Sequence, residues 1–155
     1  MYHNIRYLKY LNYPEIPEEL LHTPEEIVNL PTEEMVVRDF PAFYYKPVKP
    51  KLDAWLRTIF KFNFYVKYQV IQKGIPIHFD KPAFKGDRRV AYNYLLQLGG
   101  NNVITSVYDK DLNVLESECL PLKRWHSLRV EMLHGVDGIE ELNNRVAVTV
   151  TPLLG

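Results

Sequence analysis

Pro76-Ile77-His78-Phe79-Asp80, read together with Leu133-His134-Gly135-Val136 and Arg145-Val146-Ala147-Val148, decides how this chain is interpreted. In an extended segment, residues i and i+2 point to the same face. His78 and Asp80 therefore present an imidazole and a carboxylate side by side. Those are two of the three donors of the facial triad that holds Fe(II) and leaves adjacent positions open. Alone the pair is weak, since it also arises by chance on surfaces. His134 adds a third donor 56 residues after His78, a stretch long enough for about four strands before a later one returns beside the first. Gly135 permits close backbone approach there, and Val136 offers an apolar wall. Arg145 follows His134 by eleven residues and opens a β run. A planar guanidinium in that place can pair bidentately with a carboxylate, which lysine does less well. Thr149 shares the face of Arg145 by strand alternation.

Working outward, residues on either side of these segments carry a period of two. Phe62, Phe64, Val66, Tyr68 and Val70 alternate with Asn63, Tyr65, Lys67 and Gln69, as in a half-buried strand. Further strands are expected over Val90–Leu98, Val103–Tyr108, Val114–Leu120, Ser127–Met132 and Val146–Thr151. The turns between them fall at Lys85-Gly86-Asp87, Gly99-Gly100-Asn101-Asn102, Asp109-Lys110-Asp111 and Asn143-Asn144. The first fifty residues differ, because seven prolines cut them into short pieces. Pro17-Glu18-Glu19-Leu20-Leu21 and Thr23-Pro24-Glu25-Glu26-Ile27-Val28 read as helix starts, the second with Thr23 and Glu26 as a capping box. Leu52, Trp55, Leu56 and Ile59 mark one buried face of a helix over 50–60. The expected fold is mainly β (α+β), a double-stranded β-helix or jelly roll with short N-terminal helices. A single domain over 1–155 is expected, with 1–61 as proline-rich helical support and 62–151 as the β core.

Composition narrows the classes. Apolar residues make up 46% of the 155, enough for one core, and 19 acidic residues balance 19 basic ones. That balance argues against a nucleic-acid partner, which needs a basic surplus to displace counterions. It gives no support to a membrane surface either. Cys119 is the one cysteine, so no internal disulfide forms, and no apolar run suits a signal peptide or a spanning helix. The chain reads as soluble and cytoplasmic, and Cys119, with no His or Cys at ligand spacing, as inert. Phe40, Phe43, Tyr44 and Tyr45 read as strand residues packing a core rather than as a stacking platform for bases. The tyrosine-rich N-terminal part offers a surface for a homodimer.

The ordered set His78-x-Asp80, His134 and Arg145 resembles the 2-oxoglutarate and Fe(II)-dependent dioxygenase superfamily, over roughly residues 62–151. In length the chain resembles its compact, often phage-encoded members. Arg89-Val90-Ala91-Tyr92-Asn93-Tyr94-Leu95-Leu96 is similar to the strand that follows HxD in that family. The resemblance implies that His78, Asp80 and His134 bind Fe(II) and that Arg145 binds the distal carboxylate of 2-oxoglutarate. Tyr92 or Asn93 would add a hydrogen bond to the co-substrate. It also implies turnover of 2-oxoglutarate to succinate and carbon dioxide, with hydroxylation of a small molecule or a protein side chain as the default outcome. The sequence departs from the family at Ala147, where many members have Ser. It departs again at Val130-Glu131-Met132-Leu133, where compact members show an Asn-Thr pair.

Other readings stay open. His126, in Arg124-Trp125-His126-Ser127, competes with His134 as third ligand but fits one hairpin with Arg145 less well. It is expected at the surface, or else at a substrate entrance. His3 and His22 are expected at the surface, and Asp87, Arg88 and Arg89 as a solvated charge cluster near the substrate. Glu131 suits an ion pair better than a supporting role behind a ligand histidine. No phosphate-binding glycine loop, serine elbow or CxxC pair is present. A jelly-roll module that binds or supports without catalysis is the alternative function, and a cupin-type metal enzyme without a 2-oxo acid is a third.

Overall fold

The structure is a computed structural model and describes residues 7–35, 43–78, 90–140 and 143–153. Its first elements are strand β1 (Leu8–Tyr10), a 3-10 turn (Glu18–Leu20) and helix α1 (Pro24–Asn29). The 3-10 turn stands where a helix start was expected at Pro17, because Thr23 opens a new helix before a second turn can form. At α1 the capping box is present. The Thr23 hydroxyl accepts from the Glu26 N–H at 3.2 Å, and the Glu26 carboxylate accepts from the Thr23 N–H at 2.8 Å. Those bonds hold the Glu26 carboxyl below its ordinary range. Short strands β2 (Glu34–Met35) and β3 (Phe43–Lys46) precede helix α2 (Pro50–Ile59). α2 buries Leu52 and Leu56 completely, a contribution of about 1.5–3 kcal/mol each. Asp53 and Arg57 pair on its outer side.

Eight strands then build the sandwich: β4 (Phe64–Ile71), β5 (Ile75–His78), β6 (Ala91–Gln97), β7 (Ile104–Tyr108), β8 (Val114–Glu118), β9 (Trp125–Leu128), β10 (Leu133–Asp137) and β11 (Arg145–Pro152). Two sheets result. The larger runs β1-β9-β6-β11-β4-β3-β2 and the smaller β5-β10-β7-β8, with every pairing antiparallel. From β4 onward the chain passes back and forth between the sheets. This is the winding of a jelly roll, a double-stranded β-helix.

The expected strand over Ser127–Met132 is not continuous. Leu128 ends β9, and Arg129 pairs with Glu131 in a turn closed by the Met132 N–H on the Arg129 carbonyl at 3.1 Å. The chain crosses to the other sheet there, which places His134 on a strand of its own.

The two faces of the larger sheet carry different residues. Phe64, Val66, Tyr68 and Val70 of β4, with Val146, Val148 and Val150 of β11, face outward and are buried with Ile27, Leu52 and Leu56 of the helices. The opposite faces of the same strands bring Gln69, Ile71, Arg145, Ala147, Thr149 and Thr151 to the space between the sheets. Strand alternation makes this division. The main apolar core therefore lies outside the sandwich, and a smaller one (Leu8, Leu95, Val107, Leu120, Leu128, Val130, Ala147) lies within it. Among the described residues no helix is long and apolar enough to cross a membrane.

Gly138, just past the end of β10, has φ +94°, and a Cβ there would meet the Asn102 carbonyl oxygen at 2.1 Å. Gly138→Ala combines a left-handed backbone with a clash against main chain, and is expected to cost about 2 kcal/mol. Thermal unfolding followed by circular dichroism should show a midpoint several degrees lower.

Candidate metal and ligand site

β5 and β10 pair so that His78 and His134 are direct cross-strand partners. Their rings lie with centroids 4.4 Å apart at 52°. Both rings are held in the same way. His78 Nδ1 lies 2.8 Å from the carbonyl of Pro76, and His134 Nδ1 lies 2.7 Å from that of Met132, in each case two residues back. A carbonyl oxygen can only accept, so each Nδ1 donates, and in the neutral ring the lone pair then lies on Nε2. That is the tautomer of a ligating imidazole, oriented from behind by a backbone acceptor.

The pairing depends on a local irregularity. Val136 pairs with Ile75 while His134 pairs with His78, so β5 carries one residue more than β10 between the two contacts. The extra residue falls at Pro76-Ile77, where proline has no N–H to give to the ladder. Gly135 lies opposite, and a Cβ on it would come within 2.9 Å of the Ile75 carbonyl oxygen. The close approach expected at Gly135 is thus present, and Val136 lines the cavity beside it.

Asp80, the expected carboxylate ligand, lies outside the described residues, as do Asp87, Arg88, Arg89 and His3. Among the described residues no group of three or more His, Cys, Asp or Glu side chains could hold a metal ion. The imidazole pair alone fits as two members of a three-donor set, and Asp80 follows His78 by two positions.

The pair opens into a cavity of about 100 Å³ between the sheets, which also takes in Arg145, Asn93 and His126. Arg145, the first residue of β11, is only 4% exposed. Its guanidinium donates to the Leu98 carbonyl at 3.2 Å and to the Thr105 hydroxyl at 3.3 Å, and it has no carboxylate partner among the described residues. Burial draws its pKa down to about 10, so it stays charged at neutral pH. Thr105 pairs with Val136, and His134 lies two residues further along β10, about 7 Å at the spacing of a strand.

Among solved structures, the chain is similar to Fe(II) HppE in complex with substrate, with 14% identity and a TM-score of 0.49 over 84% of this chain and 59% of that one. It is also similar to hydroxypropylphosphonic acid epoxidase from S. wedmorenis in complex with fosfomycin, with 12% identity and a TM-score of 0.42 over 87% of this chain and 64% of that one. The chain thus spans less than two thirds of the length of these structures. No family model and no curated protein matches it.

The remaining expected site residues divide. Asn93 faces the cavity, and its Oδ1 accepts from the Thr149 hydroxyl at 2.8 Å. Tyr92 does not line the cavity. As the neighbour of Asn93 on β6 it points to the other face, where its ring packs against Phe60 and Phe62. Glu131 pairs with Arg129, and the acceptor behind His134 is the Met132 carbonyl instead. His22, expected at the surface, is half-buried against the Tyr68 hydroxyl. Cys119 is exposed.

Sequence reading missed two polar cavity residues and favoured the surface over the cavity for a third. Gln69 was discoverable, since it shares a face with Ile71 on a strand of known phase. Thr105 carries no local signal. His126, expected at the surface, is 3% exposed and faces the cavity. The expected strand began at Ser127, and starting it two residues earlier would have turned His126 inward.

Burial, and next the Arg145 charge, lower the His126 pKa from the ordinary 6.5 to about 4. A histidine depressed on folding binds its proton more readily in the unfolded chain. Its stabilising contribution is therefore complete above pH 6.5 and is lost as pH falls toward about 4. In metal-free protein, the melting temperature of His126→Phe relative to wild type should rise steadily across that window. A constant difference from pH 7 to pH 4 would contradict the assignment.

Proposed function

We propose that the chain is an Fe(II)- and 2-oxoglutarate-dependent oxygenase, hydroxylating a small molecule or a protein side chain. The observation that carries this reading is the in-register pair His78 and His134, each with its Nδ1 proton on a backbone carbonyl, sharing a cavity with a buried arginine that has no acidic partner among the described residues. His78, Asp80 and His134 would hold the iron. When bound, Fe(II) supplies activation of dioxygen with a 2-oxo acid as electron source.

The chain's own residues do the rest. The carbonyls of Pro76 and Met132 accept from both Nδ1 atoms, which makes Nε2 the ligating nitrogen of each neutral ring. Arg145 is a fixed cation in a low-dielectric place, where a carboxylate gains most from a bidentate contact. Thr105 and the Leu98 carbonyl hold the guanidinium in position. Val130, Val136, Leu120 and Leu128 give the cavity apolar walls.

Metal analysis and anaerobic titration test the reading. Wild-type protein should take up one Fe(II), and adding 2-oxoglutarate should then produce a weak visible charge-transfer band. Asp80→Ala and His134→Ala should each reduce iron to background. Arg145→Ala should keep the iron but weaken 2-oxoglutarate binding about a hundredfold, roughly 3 kcal/mol. Arg145→Lys should recover part of that loss. Wild-type protein without stoichiometric iron uptake would overturn the proposal and leave a jelly-roll binding module.

A further inference from the structure

His126 is the second residue of β9 and lies directly across from Asn93 of β6. In that row the Thr149 hydroxyl already satisfies the Asn93 Oδ1, whereas His126 makes no side-chain hydrogen bond among the described residues. Its Nδ1 is sealed from solvent and has no partner. The Arg124 carbonyl, two residues back, is near enough to act on the ring's charge, but the geometry falls short of a hydrogen bond. The same i−2 carbonyl does meet that geometry at His78 and His134.

A buried imidazole with unmet hydrogen-bonding capacity is unfavourable, and a phenylalanine would fill the same space without that cost. Arg145 poses the matching difficulty. It is a buried cation whose described partners are both uncharged, and Ala147, the next inward residue of β11, brings no hydroxyl. Among the described residues, one cavity thus holds a charge without a counter-charge and a ring whose Nδ1 lacks a hydrogen bond. A carboxylate bound in the cavity that both residues line would answer the charge and offer the ring an acceptor.

We propose that His126 is a ligand-binding residue of this cavity, donating a ring N–H to the carboxylate that Arg145 holds. This rests on reading the cavity as a 2-oxo acid site. It gives the ring a purpose that packing does not, and it supplies the second donor that Ala147 cannot.

Calorimetry on Zn(II)-loaded wild type, His126→Phe and His126→Gln, with 2-oxoglutarate as the probe, separates the possibilities. His126→Phe should weaken binding at least tenfold, while the ligand-free protein melts at the same or a higher temperature. His126→Gln, which keeps a donor, should fall between. In wild type, the ¹⁵N resonances of the His126 ring should shift on saturation with 2-oxoglutarate. Equal affinity in wild type and His126→Phe overturns this inference and leaves the oxygenase reading intact. Wild type that binds no 2-oxoglutarate overturns both. Should His126→Phe fail to fold, unshifted His126 resonances in saturated wild type overturn the inference.

Discussion

Two strands far apart in the chain have to meet edge to edge, in one register and no other, before the proposed metal centre can exist in this protein. A slip of one residue would turn His134 outward and bring Gly135 into the cavity, because side chains alternate along a strand. β10 is held against that slip on its other edge, where five consecutive residues pair with β7. β5 stands at the sheet's edge, where its extra residue at Pro76-Ile77 can be absorbed without breaking a second ladder. The order of strands thus assigns the roles. A central strand fixes one imidazole, and an adaptable edge strand brings the other to it.

The helical support has a related purpose. Small sandwiches ordinarily put their apolar residues between the sheets. Here β4 and β11 turn one set of apolar residues outward against α1 and α2, and that cluster gives the larger sheet its buried face. The inner face is then able to carry arginine, threonine, asparagine and histidine around a cavity. The N-terminal segment also binds the smaller sheet, since the Glu116 carboxylate of β8 accepts from the N–H groups of Tyr7 and Leu8 at 2.8 and 2.9 Å. Beside β1 the two layers are thereby tied together.

Much of this was legible in the sequence, for local reasons. The period-two run through Phe64–Val70 and the Thr23–Glu26 cap depend on neighbours only, and both are present as read. The count of about four strands between His78 and His134 agrees with β6, β7, β8 and β9. What could not be read depends on distant partners. β1 is three residues long and exists only because β9 lies beside it. The Arg129–Glu131 turn interrupts an apolar alternation that otherwise runs on as one strand. Tyr92 and Asn93 looked equally eligible until β6 had a definite inner side. His126 looked solvated for the same reason, since its burial comes from elements assembled around it.

The carbonyls behind His78 and His134 belong to the main chain. Point substitution can exchange an aspartate or a serine that steers a ligand, but it cannot remove a peptide oxygen. Tuning of the proposed centre by side-chain change around the rings is correspondingly restricted. Mutational drift can erase the centre through the donors themselves or through the backbone path that carries them, and has few intermediate steps on offer.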